Sequence, residues 1–487
     1  MTTNLAINVA RGGGITLAGQ IAKLGLLLVN LAVLGRLLTP QDFGLIAMVM
    51  AIVGIAELLR DFGLSSAAIQ SRDLSQGQKS NLFWINTALG LGLGSLVLAL
   101  SPVIAGIYGD MRLVGITCVV ASVFVLGGVQ TQFQVELTRR AQYGVLAITD
   151  VVSQVVGLSV GIIVAVAGGG YWALVALQVS AALTLCVARV SYAKWVPSRP
   201  SRDSDIRPFL KYGLHLGLAQ ALNYVSINAA SVILGLNASA KAVGIYSRAS
   251  QVVSVPINQF FGPLTNVALP SLARIDDDHE YFSAVVRLQF LLAYAGAIGF
   301  SLLSVIAEPF VAVLLGPQWM QVVPLVQILS IGAAFQCITF VTFWVFLSRA
   351  ITKSMLIYNV VTKSIIVAAV VVGAQSGGAI GVAFGYSFGL VLTWPISLYW
   401  LYRAIGLRSL TLLRGGLRPL CVALATTSCG LLALWGVGSE GNGWQYLAGI
   451  LAWGLAAGAF WLLVPWFRRD VRELMKSGRM MLRFGKA

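Results

Sequence analysis

Charge is what this chain of 487 residues lacks most: Asp, Glu, Lys and Arg together make up 10% of it. Soluble globular domains carry about 25%, so a water-soluble globule of this length is excluded. Histidine occurs twice, at His215 and His279. The five cysteines, Cys118, Cys186, Cys337, Cys421 and Cys429, lie in or beside apolar runs without a CxxC pair. No His/Cys metal signature exists, and the cysteines read as small packing residues. Met1 to Ala10 lacks the basic n-region and cleavage site of a signal peptide, so the first apolar run is expected to stay in the chain.

What is present is apolar: 58% hydrophobic residues and a mean hydropathy of +0.85. Runs of roughly 20 residues, enough for a helix to cross ~30 Å of hydrocarbon, follow one another from end to end. Lipid offers no partner to unpaired backbone groups, and these runs are too long and continuous for barrel strands, so the spans are helices. Fourteen are expected, at about 15–35, 43–68, 82–104, 113–133, 145–167, 171–191, 210–236, 243–269, 284–307, 322–347, 355–373, 379–401, 420–435 and 446–465. The polar stretch KWVPSRPSRDSDIRP marks a boundary. The expected organisation is a lobe over 1–193, a linker over 194–208, a second lobe over 209–402, and two further helices with a basic tail over 403–487.

With the N-terminus in the cytoplasm, the outer segments hold only Arg36, Arg112 and Lys241. Most other basic residues, from Arg72 and Lys79 through Arg139, Arg140 and Arg189 to the seven of the tail, fall on inner segments. This asymmetry places both termini in the cytoplasm and accounts for most of the +16 net charge. Basicity is therefore a topology signal with an attraction to anionic headgroups, and no nucleic-acid partner is implied.

The chain repeats itself at a shift of about 200 positions. Arg11 and Gly13 fall on Lys211 and Gly213, Leu34-Gly35 on Leu234-Gly235, Thr39 on Ser239, and Phe43-Gly44-Leu45 on Val243-Gly244-Ile245. Further on, Ser101-Pro102-Val103-Ile104 up to Gly109 matches Glu308-Pro309-Phe310-Val311 up to Gly316. Two parallel repeats facing one another across a central cleft form a transporter's architecture, with no reason to expect an enzyme.

Five basic residues fall within spans or at their ends: Lys23, Arg60, Arg248, Arg287 and Lys363. A charge at mid-bilayer costs ~2.5–3.5 kcal/mol, so each needs a partner or water. Lys23 and Lys363 are the deepest, one in each half, and read as cavity-lining groups that attract an anion; the alternative for Lys23 is a structural pair with a carboxylate such as Glu57. Glu57, Arg60 and Asp61 share a helix face and can neutralise one another, or serve as a gating lock or ion-coupling site. Ser247, Gln251, Ser254 and Asn258 form a polar stripe at helical spacing with Pro256 inside it, read as a hydrophilic cavity wall, and Gln220, Asn223 and Tyr224 add a second. Asp150 reads as a membrane-edge anchor and the run Asp276 to Glu280 as a solvated face.

At LGRLLTPQDFGL (34–45), DFGL (61–64), RRAQYGVLAITD (139–150) and GGGYWALV (168–175) the chain resembles the polysaccharide transporter family of the MOP exporter superfamily, the Wzx-like oligosaccharide-lipid flippases. The resemblance implies an all-α integral membrane protein of the bacterial inner membrane. Its fold would be MATE-like, with two pseudo-symmetric six-helix lobes plus two C-terminal helices. The implied cargo is an undecaprenyl-diphosphate-type lipid-linked oligosaccharide, flipped to the periplasmic leaflet by alternating access through a cationic cavity. Lys23, Arg60, Asn223, Arg248, Gln251, Ser254, Asn258 and Lys363 are the candidate cavity residues; Glu57 and Asp61 are the candidates for coupling or gating. No cofactor is implied beyond an ion gradient or membrane potential. Partners would be the lipid bilayer and polysaccharide polymerase or export machinery. A cation-coupled drug exporter of the MATE type is the alternative, although such exporters commonly carry a coupling carboxylate in the first helix, where this chain has Lys23.

Overall fold

The computed structural model describes residues 2–61, 64–71, 74–200, 224–406, 409–437 and 443–472. Most of the expected linker, the start of the seventh span with Asn223, and the side chain of Asp61 lie outside the described residues. The described elements are all helices, as a chain whose backbone groups must be satisfied in lipid requires. In order come α1 (Thr2–Leu37), α2 (Pro40–Asp61), α3 (Leu64–Gln70), α4 (Gln76–Tyr108), α5 (Arg112–Arg139), α6 (Tyr143–Val166) and α7 (Trp172–Ala193). Then follow α8 (Tyr224–Asn237), α9 (Ala240–Ala273), α10 (Asp278–Val305), α11 (Ala307–Leu314), α12 (Val322–Ser348), α13 (Thr352–Ile405), α14 (Ser409–Val437) and α15 (Gly443–Leu463).

Eleven described helices are long and apolar enough to cross a membrane. The eleventh and twelfth expected spans are counted there as one, because α13 holds both arms. A break at Gly377 and Gly378 divides them, and Gly378 sits at φ 56°, ψ −131°, a conformation open in practice to glycine alone. The arms fold back on each other: a Cβ on Gly373 would collide with the Gly381 carbonyl, and one on Gly385 with that of Ala369. Such small-residue crossings are how membrane helices gain close packing without a hydrophobic driving force.

The chain divides into two compact units, residues 1–247 with 313–318, and 248–312 with 319–487. In the first unit α4 packs on α5, α6 on α7, α5 on α7 and α1 on α6. Gly90 and Gly128 set the α4–α5 approach, a Cβ on Gly128 standing 2.5 Å from the Asn86 carbonyl oxygen. In the second unit α12 packs on α10 and α13, and α14 on α10 and α15.

The repeat read from the sequence has a conformational counterpart. Gly109 and Gly316 both take positive φ, 68° and 103°, and Ala141 and Ala350, each following an arginine at a helix end, both sit at φ 54°. The first copy carries Pro102 within the continuous α4, whereas the second breaks at Ile306 into α10 and α11.

Candidate functional site

In the first unit α1 and α6 approach through small residues: a Cβ on Gly19 would meet that of Ala147 at 3.0 Å. One turn further on, Lys23 Nζ donates to Asp150 Oδ2 at 2.5 Å. The other carboxylate oxygen, Oδ1, accepts from Arg189 Nη2 of α7 at 2.7 Å. Arg189 is almost wholly buried, and its Nη1 donates to Gln134 Oε1 at 2.8 Å and to Gln130 Oε1. One carboxylate thus holds two cations, leaving a net positive charge clamped between α1, α6, α7 and α5. Lys23 takes Asp150 as its partner, not Glu57, and Asp150 lies about 10 Å, two turns, from the start of α6. Arg189, Gln130 and Gln134 complete the network although the sequence singled out none of them; a basic residue four positions before a span's end reads as a topology charge.

Glu57 is exposed near the end of α2. Arg60 lies against α5, where its guanidinium occupies the place a Cβ on Gly127 would take, and its buried Nε has no hydrogen-bond partner among the described residues. Tyr224 of α8 crosses α2 at Gly54, its hydroxyl donating to the Met50 carbonyl at 2.6 Å.

In the second unit Arg248 is buried and donates to Gln251 Oε1 at 2.5 Å, one turn along α9. The expected stripe is split. Ser254 lines a cavity of about 30 Å³ with Gln336 and Tyr386, enclosed by α9, α12 and α13, whereas Asn258 is exposed. Lys363, half-buried on the first arm of α13, makes no ion pair among the described residues. The candidates therefore differ in kind: Lys23 and Arg248 are held by neighbours in their own unit, whereas Lys363 has no ion-pair partner among the described residues. Among the described residues no group of three or more His, Cys, Asp or Glu is placed to hold a metal ion.

A family model described as "Polysaccharide biosynthesis protein" matches residues 33–324, more than half of the chain. The teichuronic acid biosynthesis protein TuaB of Bacillus subtilis (strain 168) is 26% identical over 475 residues, 93% of this chain and 94% of its own. The lipopolysaccharide biosynthesis protein WzxC of Escherichia coli (strain K12) is 25% identical over 372 residues, 74% of each chain. The succinoglycan biosynthesis transport protein ExoT of Rhizobium meliloti (strain 1021) is 22% identical over 378 residues, 74% of this chain and 76% of its own. Among solved structures, the lipid II flippase MurJ in an inward closed conformation matches with a TM-score of 0.72 at 13% identity, covering 91% of this chain and 99% of its own. An inward-facing multidrug resistance MATE transporter of the MOP superfamily matches at 0.58 and 17% identity, covering 80% and 95%. The MATE-like membrane fold expected from the sequence is the fold observed.

Proposed function

The chain belongs to the polysaccharide biosynthesis protein family, and on that footing we propose that it is a flippase for a polyprenyl-diphosphate-linked oligosaccharide, an exopolysaccharide or O-antigen repeat unit. It carries this cargo from the cytoplasmic to the periplasmic leaflet of the bacterial inner membrane by alternating access. The names of two relatives, a lipopolysaccharide biosynthesis protein and a succinoglycan transport protein, support a polysaccharide precursor as cargo. The observation that carries the reading within the chain is an intramembrane cation, Lys363, that makes no ion pair among the described residues, on an all-helical fold. An ammonium at that depth needs an anion or water, and the diphosphate diester that joins a polyprenyl tail to an oligosaccharide carries two negative charges.

Lys23 enters the same reading differently. Its charge is held by Asp150, and a diphosphate would compete with that carboxylate for it. The drug-exporter alternative would need a carboxylate free to take a coupling cation; Asp150 is not that group, because both of its oxygens are occupied by cationic side chains, so that reading would rest on Glu57, exposed near the end of α2. The test is deletion of the gene followed by extraction of lipid-linked glycans. Accumulation of one oligosaccharide on the cytoplasmic face, relieved by the wild-type gene and not by Lys363→Ala, is the expected result. An unchanged glycan pool with altered drug tolerance would overturn it.

A further inference from the structure

The inner ends of the two units are built alike and filled differently. In the first unit α4 is capped by Ser75, whose side chain accepts from Gln78 N, and α10 is capped in the same way by Asp277, which accepts from Glu280 N. Arg140 and Arg349 end the equivalent helices α5 and α12 with identical hydrogen-bonded turns into Ala141 and Ala350. Lys194 and Gly406, both left-handed, end α7 and α13. These three landmarks put Gln76 and Ser80 in register with Asp278 and Phe282.

In the first unit the chain beyond Lys194 runs as an extended strip along α4. Gln76 Nε2 donates to the Val196 carbonyl at 3.2 Å and its Oε1 accepts from Trp195 Nε1 at 2.9 Å. Ser198 N donates to Ser80 Oγ at 3.0 Å, and Trp84 Nε1 to the Ser198 carbonyl at 2.9 Å. The Trp195 ring packs edge-on against Phe133 and Phe83, at 5.4 and 6.1 Å between centroids. The strip thereby covers the aromatic end of the helix pair.

In the second unit the chain beyond Gly406 instead enters α14 within three residues. The corresponding place is a cavity of about 490 Å³ lined by Asp278, His279, Tyr281, Phe282, Arg349 and the Ile405-Gly406 turn. Arg349 lies on the Tyr281 ring at 3.9 Å and donates to Asp278 Oδ1 at 2.8 Å. Asp276, Asp277 and Glu280, flanking Asp278 and His279 at the start of α10, are exposed.

We infer that this cavity is a docking groove for the chain's own basic C-terminal segment, residues 473–487, which lies along α10 as residues 195–198 lie along α4. Charge complementarity selects it: the segment carries Lys476, Arg479, Arg483 and Lys486 against the single acid Glu473, and the chain at the start of α10, beside the cavity, carries Asp276, Asp277, Asp278 and Glu280. Reach allows it. Asp470, two residues before the end of the described chain, accepts from Tyr294 Oη at 2.7 Å. Tyr294 stands sixteen positions along α10 from Asp278, about 24 Å at the helical rise. The segment beyond Arg472 spans up to ~50 Å when extended. Phe484 supplies an aromatic ring for the place that Trp195 fills in the other copy.

The experiment is photo-crosslinking of the full-length protein in native membranes, with benzoylphenylalanine in place of Phe282 and mapping of the adduct by mass spectrometry. The expected adduct lies on a peptide within 473–487, and Asp276→Lys with Glu280→Lys, which spares the Asp277 cap and the Asp278–Arg349 pair, lowers its yield at least tenfold. An adduct on lipid, on another protein or on another part of this chain overturns the inference, as does a yield that the two lysines leave unchanged. If the double lysine variant fails to accumulate, the same reading is taken from salt: yield from the singly labelled protein falls severalfold between low ionic strength and 1 M, where the Debye length shrinks to ~3 Å, and a salt-independent yield counts against docking by charge.

Discussion

Gly44 and Gly244, equivalent positions of the internal repeat, lie face to face. A Cβ on Gly44 would overlap the Ala240 carbonyl and stand 3.1 Å from Gly244 N; a Cβ on Gly244 would overlap the Pro40 carbonyl and stand 2.9 Å from Gly44 N. Pro40 and Ala240 are themselves equivalents, so the contact is reciprocal. The same exchange recurs at the neighbouring turn, where Gly35 packs beneath Leu315 and Gly235 beneath Tyr108, again with each glycine of one copy under the side chain of the other. Arg36 Nη2 donates to the Val313 carbonyl at 2.6 Å, and Gln318 Nε2 to that of Gly35 at 2.8 Å, tying the ring of turns together.

Under the alternating-access reading this ring has to open in each cycle. Gln41 and Lys241 are exposed, each one residue past a carbonyl that meets the opposite glycine. Gln41→Cys with Lys241→Cys, joined by a short bifunctional thiol reagent in a background with Cys421 and Cys429 replaced by Ser, is expected to stop glycan export, and a cleavable reagent to restore it on reduction. Export that continues through the cross-link would mean that the ring stays shut throughout transport. Gly44→Ala alone is expected to destabilise by about 1–3 kcal/mol through overpacking, read as an earlier thermal unfolding midpoint in detergent.

Lys23 and Asp150 behave as a unit with Arg189, and the predictions for them follow from what each deletion leaves behind. Asp150→Ala strands two cations inside the first unit and is expected to be the most damaging single change, costing ~1.5–3 kcal/mol as the loss of a charged hydrogen-bond partner does, less than in a fully buried pair because Asp150 is 22% exposed. Lys23→Met leaves Asp150 with Arg189 and should cost less, about 1 kcal/mol. Lys23→Met with Asp150→Asn removes the α1–α6 pair together, and its unfolding midpoint should lie between the two. Export separates the roles. If Lys23 binds the anionic headgroup, Lys23→Met and the double variant both lose export although the first stays folded; wild-type export in the folded variant would leave Lys23 a packing residue.

Much of this architecture was legible in the sequence because membrane helices announce themselves by length, and the repeat by motifs such as LGRLLTPQDFGL. The break within α13 was legible as the gap between the expected spans 355–373 and 379–401, although not as the work of Gly377 and Gly378. The Lys23 network was only half legible. Depth and cost marked Lys23, but its partner lies 127 positions later on α6, and pairing between helices is decided by which faces pack. The polar stripe of α9 carries the same lesson: helical spacing put Ser254 and Asn258 in line, yet one faces α12 and α13 and the other is exposed, because a stripe at i, i+4 and i+7 drifts around the axis.

Gly378 tests the hairpin. Its positive φ with ψ −131° is accessible to glycine and strained for any residue with a Cβ, so Gly378→Ala should cost about 1–3 kcal/mol. Gly377, at φ −163°, is extended backbone with open space around it, so Gly377→Ala should be nearly neutral there. The contrast between two adjacent glycines, measured as the shift in unfolding midpoint, distinguishes a conformational requirement from general sensitivity of the loop.

Lys363 offers the sharpest separation of stability from function. With no ion pair among the described residues, its removal strands no opposite charge, so Lys363→Met, which keeps the length and apolar stem, should leave the unfolding midpoint at or above the wild-type value. Export should nevertheless fall by tenfold or more if the ammonium meets the diphosphate. Lys363→Arg keeps the charge and adds a planar fork suited to phosphate oxygens, so it should retain most of the export. A methionine variant that exports normally would place the anion elsewhere in the second unit, and an arginine variant as dead as methionine would show that the space around residue 363, not its charge, is what transport requires.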